Sequence, residues 1–436
     1  MTEPPAGATT LLRDSPMTAL QITTVGICLL INLIDGFDVM AIAFAAPELA
    51  RAWNLSPAAL GIVFSAGVAG MTGASILLAP VADYIGRRAT ILMGLGVVTL
   101  SMAASAIAAA PEALAIFRFC TGLGVGVLLP SLNTMVAEFA SDRRRELAVA
   151  IMQAGFPLGA VLGGFAALFL QSSFGWQGVF WAGALLSGVM IPLVLLWLPE
   201  SLDFLLSRRD SDALTRVNAL LARLGRNPLS ALPTPVMADA GRGYAVLGDP
   251  RVATRLGALC AAFFFQLAAF YFVTSWTPKL LVDGGLDATT GISGGILLNV
   301  AGATGGVLLG WAAWRFGARP LTVGFMLFTC VSMFLFPWAQ SLAAMLTMAA
   351  LMGFFVVGGM MGLYSLTPAL FPPGMRATAT GLAVGFGRFG AILGPLATGF
   401  LLEAGWAPRE VYQLFCLPPL VAAAALWVLH RRLVSE

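Results

Sequence analysis

The chain has 436 residues, 59% of them hydrophobic and only 10% charged, with a mean hydropathy of +0.89 and a net charge of +3. Soluble domains carry about 25% charged residues, so a soluble enzyme is excluded and an all-α polytopic membrane protein is indicated. The small positive balance gives no sign of a nucleic-acid partner.

Windows of about 20 apolar residues, enough to cross about 30 Å of hydrocarbon, recur along almost the whole chain. They predict twelve transmembrane helices at 20–46, 58–82, 88–110, 113–139, 146–171, 178–199, 255–281, 290–314, 319–339, 341–367, 377–402 and 409–430. The first 18 residues hold Pro, Thr and acids with no cleavage site after an apolar core, so a cytoplasmic tail and a retained first span are expected.

The first span carries Asp35 and Asp38 in DGFD near its middle. A charge at bilayer depth costs roughly 2.5–3.5 kcal/mol on insertion scales, so such carboxylates are usually kept for function. Three residues apart, they share a helix face. Gly36 between them, without a side chain, lets a helix or a substrate come close. His430, the only histidine, sits at the end of the last span, which leaves a carboxylate as the proton carrier at the midplane.

Between the second and third spans stands LAPVADYIGRR (78–88), with Asp83, Gly86, Arg87 and Arg88 around a tight turn. A carboxylate at a helix C-terminus needs a partner, and Arg145 or Arg376 would supply one and latch the halves. In the fourth span Arg118 lies about 12 Å from the centre, displaced as Asp38 is, where it would gate or tune that acid. Gly122, Gly124 and Gly126 follow no strand and are expected to serve close helix packing, not a dinucleotide. Glu138 belongs with Asp142 and Arg143 to Arg145 in a charge cluster at the cytoplasmic end. The polar stretch 200–254 predicts a short amphipathic helix at the membrane surface. Arg388, about the twelfth residue of the eleventh span, is a midplane guanidinium. It is open to two roles, gripping an anionic substrate by two parallel hydrogen bonds or pairing with an Asp. The Asp pair likewise admits an inert salt bridge with Arg118 or Arg388.

With the N-terminus inside, 19 of 24 cations fall on the cytoplasmic side and only Arg51, Lys279 and Arg409 opposite, so both termini and the central loop are expected in the cytoplasm. Trp53, Trp176, Trp338 and Trp406 are expected at the outer interface. The five cysteines lie in apolar spans without CxxC spacing, so neither disulfides nor metal sites are expected, and no Walker A sequence is present for ATP coupling. No cofactor is predicted. An offset of 231 residues aligns Gly86 with Gly317, Arg88 with Arg319, GAVLGG (159–164) with GAILGP (390–395), and Arg145 with Arg376. This indicates a 6+6 duplication, with halves at 1–199 and 255–436 joined by 200–254. The same offset pairs Asp35 with Gln266 and Asp38 with Ala269, so the acids belong to one half only.

Twelve spans with ADYIGRR resemble the major facilitator superfamily, whose motif GxxxD(R/K)xGR(R/K) is matched at Asp83, Gly86, Arg87 and Arg88 but has Ala79 and Tyr84 at two variant positions. DGFD, RFCTGLGVG (118–126), WLPES (197–201), TSWTPKLL (274–281) and GFGRFGAILG (385–394) resemble its aromatic acid:proton symporters. The resemblance implies uptake of a benzoate-type acid with protons into the cytoplasm across a bacterial inner membrane, by a monomer. An aromatic substrate needs ring faces, and Phe37, Tyr271, Trp276, Tyr364, Phe386 and Phe389 are placed for that. Asn32, Gln266, Asn299 and Ser365 are candidates for a ring hydroxyl. The rival readings are an exporter, a permease for a muconate or small dicarboxylate, and a non-transporting receptor.

Overall fold

The structure is a computed structural model that describes residues 17–78, 81–141, 144–208, 212–232, 250–371 and 376–434; the side chain of Asp83, the N-terminal tail, Asp142, Arg143 and the side chains of His430 to Arg432 lie outside the described set. Helices account for all regular structure among the described residues. The first four spans are α1 (Ala19–Trp53), α2 (Pro57–Leu77), α3 (Arg87–Ala106) and α4 (Pro111–Phe139). Local chemistry sets their starts: Thr18 and Gln21 form a capping box before α1, Ser56 caps α2 with Pro57 at N1, and Pro111 opens α4.

Residues 145–197 form a 53-residue helical stretch, about 80 Å of helix, far more than one crossing needs. Gly175, at φ 63° and ψ −170°, breaks it with a backbone geometry that only glycine adopts readily. The two crossings are α5 (145–174) and α6 (176–197), which brings the count to twelve. The second half contains α7 (Pro250–Asp283), α8 (Ala288–Phe316), α9 (Ala318–Leu335), α10 (Leu342–Leu366), α11 (Arg376–Glu403) and α12 (408–434). The start of α1, the end of α12 and the described part of the central loop share one end of the bundle, the terminal face. The α1–α2 and α11–α12 turns lie at the other, the far face.

The 231-residue offset holds in the packing. A Cβ on Gly122 would overlap the Gly67 carbonyl, and one on Gly353 the Leu298 carbonyl; Gly159 meets the Leu33 carbonyl as Gly390 meets that of Phe264. Each contact is the other displaced by 231 residues. The halves join through α2 with α11, α5 with α8, and α1 with α7.

Two expectations change. The central loop forms two short helices, Leu202–Ser207 and Ala213–Arg223, whose Leu202, Leu206, Val217 and Leu221 are buried in the same core as α1 to α6. Their apolar stripe packs on the helix bundle. Trp176, only 4% exposed, packs edge-to-face on Trp53 at 5.1 Å and is an internal residue, while Trp338 and Trp406 are exposed.

Candidate functional site

Asp35 and Asp38 are 1% and 0% exposed in the middle of α1. Gly36 brings α1 onto α5, because a Cβ there would overlap the Phe156 carbonyl; a helix, not a substrate, occupies the gap. The Asp38 carboxyl faces Gly183 of α6 and Met102 of α3. From α4, Arg118 donates through Nη2 to the main-chain oxygen of Asp38 (2.8 Å), sets Nη1 3.2 Å from Met102 Sδ, and lies 5.9 Å from the Phe180 ring centroid. Both Asp38 carboxyl oxygens and Asp35 Oδ2 are buried without a hydrogen-bond partner. Such a carboxylate is costly. A proton on it, or a swing of Arg118 from the Asp38 carbonyl to the carboxyl, removes that cost. Beside them is a narrow cavity of about 20 Å³, room for about one water, lined by Met40, Met71, Arg118, Val125, Tyr271 and Ser275.

The equivalent place in the second half is neutral. Asp38 corresponds to Ala269 and Arg118 to Ala349, both fully buried, and Asp35 to Gln266, whose Nε2 donates to the Val356 carbonyl at 3.0 Å.

Arg388 sits on α11 about 18 Å from the terminal end of its helix. Its Nη1 crosses to the other half and donates to the Met71 carbonyl (3.0 Å) and to Ser75 Oγ (2.9 Å) on α2. Nε and Nη2 have no hydrogen-bond partner among the described residues. The phenols of Tyr271 and Tyr364 lie within electrostatic reach of this guanidinium. Tyr364 packs on Phe263 at 5.1 Å and Phe386 on Phe264 at 5.8 Å, with Phe386 half exposed. The structure thus gathers Arg388, Tyr271 and Tyr364, with Phe386 on the same helix. It puts Phe37 elsewhere, buried between Gly163 of α5 and Gly183 of α6. Gln266 is fully buried against α10, and Asn32 donates to the Met152 carbonyl at 2.7 Å.

At the terminal face Gly86 turns the chain at φ 99°, and a Cβ there would collide with the Glu200 carboxylate. Glu200 accepts from the Arg88 N–H (3.0 Å) and the Ser201 N–H (2.8 Å), capping α3. Arg88 and Arg87 donate to the carbonyls of Leu195 (2.5 Å) and Ala82 (2.9 Å). Glu138 accepts from Ser201 Oγ. Arg145 bonds the Ala137 carbonyl (2.9 Å) and Arg376 the Phe371 carbonyl (3.2 Å), each within its own half. Sequence reasoning quoted WLPES without giving Glu200 and Ser201 these roles. It also missed Ser75 and Glu403: a lone serine among apolar residues and an acid at a span end give little signal without a partner.

Two six-helix halves with charged groups at mid-depth define a multi-pass membrane transport protein, not an enzyme. The model of the Major Facilitator Superfamily matches residues 28–313 and 295–435, and the chain belongs to that family. It is 34% identical to a gallate transporter of Pseudomonas putida, over 98% of this chain and 96% of that one. To a 4-hydroxybenzoate transporter of Pseudomonas aeruginosa it is 33% identical, over 98% and 95%. The fold matches the Escherichia coli xylose transporter in a partially occluded inward-open conformation at a TM-score of 0.76, with 17% identity over 94% of this chain and 98% of that one.

Proposed function

We propose that the protein imports an aromatic carboxylate together with protons by alternating access, with the terminal face in the cytoplasm of a bacterium and the chain acting as a monomer in the inner membrane. The observation that carries this reading is the Arg388 guanidinium. It is tied to the opposite half by one nitrogen, has two nitrogens unengaged, and has two phenols in reach. That is a seat for a carboxylate on an aromatic ring, the chemistry named for the gallate and 4-hydroxybenzoate relatives. Asp38 carries the proton with Arg118 as its tuner, and Asp35 supports it. The cation bias supports the orientation, and the two bundles at 1–199 and 255–436 rock about the α2–α11 and α5–α8 contacts.

One proton per monovalent anion gives electroneutral uptake driven by the pH gradient alone; a second adds the voltage, about 2.3 kcal/mol per charge per 100 mV. The test is uptake of labelled gallate, 4-hydroxybenzoate, benzoate and muconate into proteoliposomes with and without an imposed inward proton gradient. Gradient-driven accumulation of an aromatic acid is expected. Accumulation of muconate alone, or of no acid, overturns the reading.

A further inference from the structure

The two halves offer the same pair of positions to different chemistry. In the second half Gln266 of α7 donates its amide N–H to the carbonyl of Val356 on α10, a permanent tie between the helices. Displaced by 231 residues, these positions are Asp35 on α1 and Val125 on α4. The displacement is a packing equivalence, because Gly122 meets residue 67 as Gly353 meets residue 298, and Gly159 meets residue 33 as Gly390 meets residue 264. Those four contacts seat α4 on α2 as α10 on α8, and α1 on α5 as α7 on α11, and α1 packs on α4 as α7 packs on α10. The Val125 carbonyl therefore stands at the backbone position facing Asp35 that the Val356 carbonyl holds facing Gln266, with a side chain one methylene shorter to reach it.

An amide donates to a carbonyl at any pH. A carboxylate cannot, since both groups only accept; a carboxylic acid can, through its O–H. Asp35 Oδ2 is buried and without a partner. Val125 lines the water-sized cavity that also reaches Arg118.

We infer that Asp35 is a proton-conditional clasp: protonated, it donates to the Val125 carbonyl and ties α1 to α4 as Gln266 ties α7 to α10; ionised, it releases that tie. This rests on the proton-coupled reading for its purpose and deepens it by giving the two acids different work, Asp38 paired with Arg118 and Asp35 joining helices. The ionisable groups around Asp35 are Asp38 one turn away and Cys28 on α1, Arg118, Cys120 and Glu138 on α4, and Tyr271 and Cys260 on α7. The stretches 57–77 of α2, 155–174 of α5 and 288–314 of α8 contain none.

The sign is fixed by the chemistry. The clasp stabilises the fold in acid and is lost as pH rises through the titration of Asp35. Thermal unfolding of the full-length protein in detergent, at acidic and alkaline pH, tests it without substrate. Asp35→Gln is expected to keep the clasp at both pH values. Asp35→Leu is expected to lack it at both, melting about 2–4 °C lower, the shift about 1 kcal/mol gives a domain of this half's size. The wild type follows the Gln variant in acid and in alkali falls to the Leu variant or below it, because ionised Asp35 also carries the cost of a buried charge. Should the Asp35 variants fail to fold, the second half serves: Gln266→Leu lowers Tm at all pH, and Gln266→Glu acquires the acid-dependent difference. Identical melting of the Gln and Leu variants, or a Gln266→Glu protein with no pH dependence beyond wild type, overturns the clasp. Because no substrate is used, absence of aromatic acid uptake leaves this result standing, and a failed clasp leaves the transport reading standing.

Discussion

Glu403 closes α11 at the far face, and its Oε2 accepts from Ser56 Oγ at 2.8 Å and from the Ala58 N–H at 2.9 Å. It caps the first turn of α2, in the opposite half, where the helix dipole favours an anion. Shielded charge-assisted hydrogen bonds are worth about 1.5–3 kcal/mol, and exposure at this rim reduces the pair to about 1–2 kcal/mol in total. Directly beneath, Gly61 and Gly399 bring the two helices into backbone contact. This closure has to open if the halves alternate. Loss of the cap is therefore expected to raise the far-face-open population about 5- to 30-fold, the factor that 1–2 kcal/mol represents. Ser65 lies under the closure, donating to the Ile392 carbonyl at 2.8 Å. In a background with the five native cysteines replaced, a Ser65→Cys substitution reports opening through its rate of reaction with a membrane-impermeant maleimide added on the far side. Glu403→Ala should accelerate labelling by that factor and Glu403→Gln by less, since the amide still accepts. An unchanged rate in Glu403→Ala would refute the reasoning.

Asp38→Asn is expected to abolish gradient-driven accumulation while leaving exchange of pre-loaded substrate, checked by counterflow in the same vesicles; full accumulation would remove Asp38 from the coupling role. Arg388→Ala should weaken binding of a 4-hydroxybenzoate probe at least tenfold by titration calorimetry, and Arg388→Lys should recover only part of it, because an ammonium lacks the two-pronged geometry. Ser75→Ala removes one of two bonds holding the guanidinium and should cost about 0.5–1.5 kcal/mol of binding or stability. Gly390→Leu and Gly159→Leu should each prevent assembly, read as loss of monodisperse protein in detergent. Gly96→Ala, with nothing within 4 Å of the added Cβ, should be neutral or stabilise by up to about 1 kcal/mol.

The fold was largely legible because a bilayer imposes a length and a composition on every crossing. The 231-residue repeat, read from GAVLGG and GAILGP, reappears as equivalent glycine contacts. The α5–α6 turn was legible too, since QSSFGWQG (171–178) interrupts the apolar residues between the spans 146–171 and 178–199, and Gly175 makes the break. The site was legible in its charges: Asp35, Asp38, Arg118 and Arg388 are rare enough in lipid to be picked out by cost alone. Their partners were not, because partnership is three-dimensional. Nothing in the spacing says that Arg118 bonds the Asp38 main chain, that Arg388 reaches Ser75 in the other half, or that Phe37 turns inward between α5 and α6. Aromatic residues are abundant in every span, so composition does not separate Phe37 from Tyr271. Trp176 was misplaced for the same reason: a tryptophan near a span end suggests the interface, and only packing on Trp53 shows it to be internal.

The second half serves as a control for the first. Ala269 and Ala349 fill with methyl groups the places that Asp38 and Arg118 fill with charges, and both halves adopt the same helix contacts around them. Packing therefore does not require the charges. At up to roughly 2.5–3.5 kcal/mol for a charge at helix-centre depth, they are a cost borne by one half for something the other does not do. Arg388 has the converse asymmetry, since its equivalent in the first half is Pro157. In the proposed reading the proton-handling charges thus stand in one half and the substrate-binding cation in the other. They share Met71 of α2, which lines the cavity beside Arg118 and offers its carbonyl to Arg388. A change at the Asp38–Arg118 pair that shifts α2 by a fraction of an ångström alters the bond holding the guanidinium. Substrate drawing that guanidinium away alters the seat of α2 in return. Such reciprocity is what linkage between two bound species demands, and in the proposed reading two charged sites on opposite sides of one moving contact would supply it without a long relay.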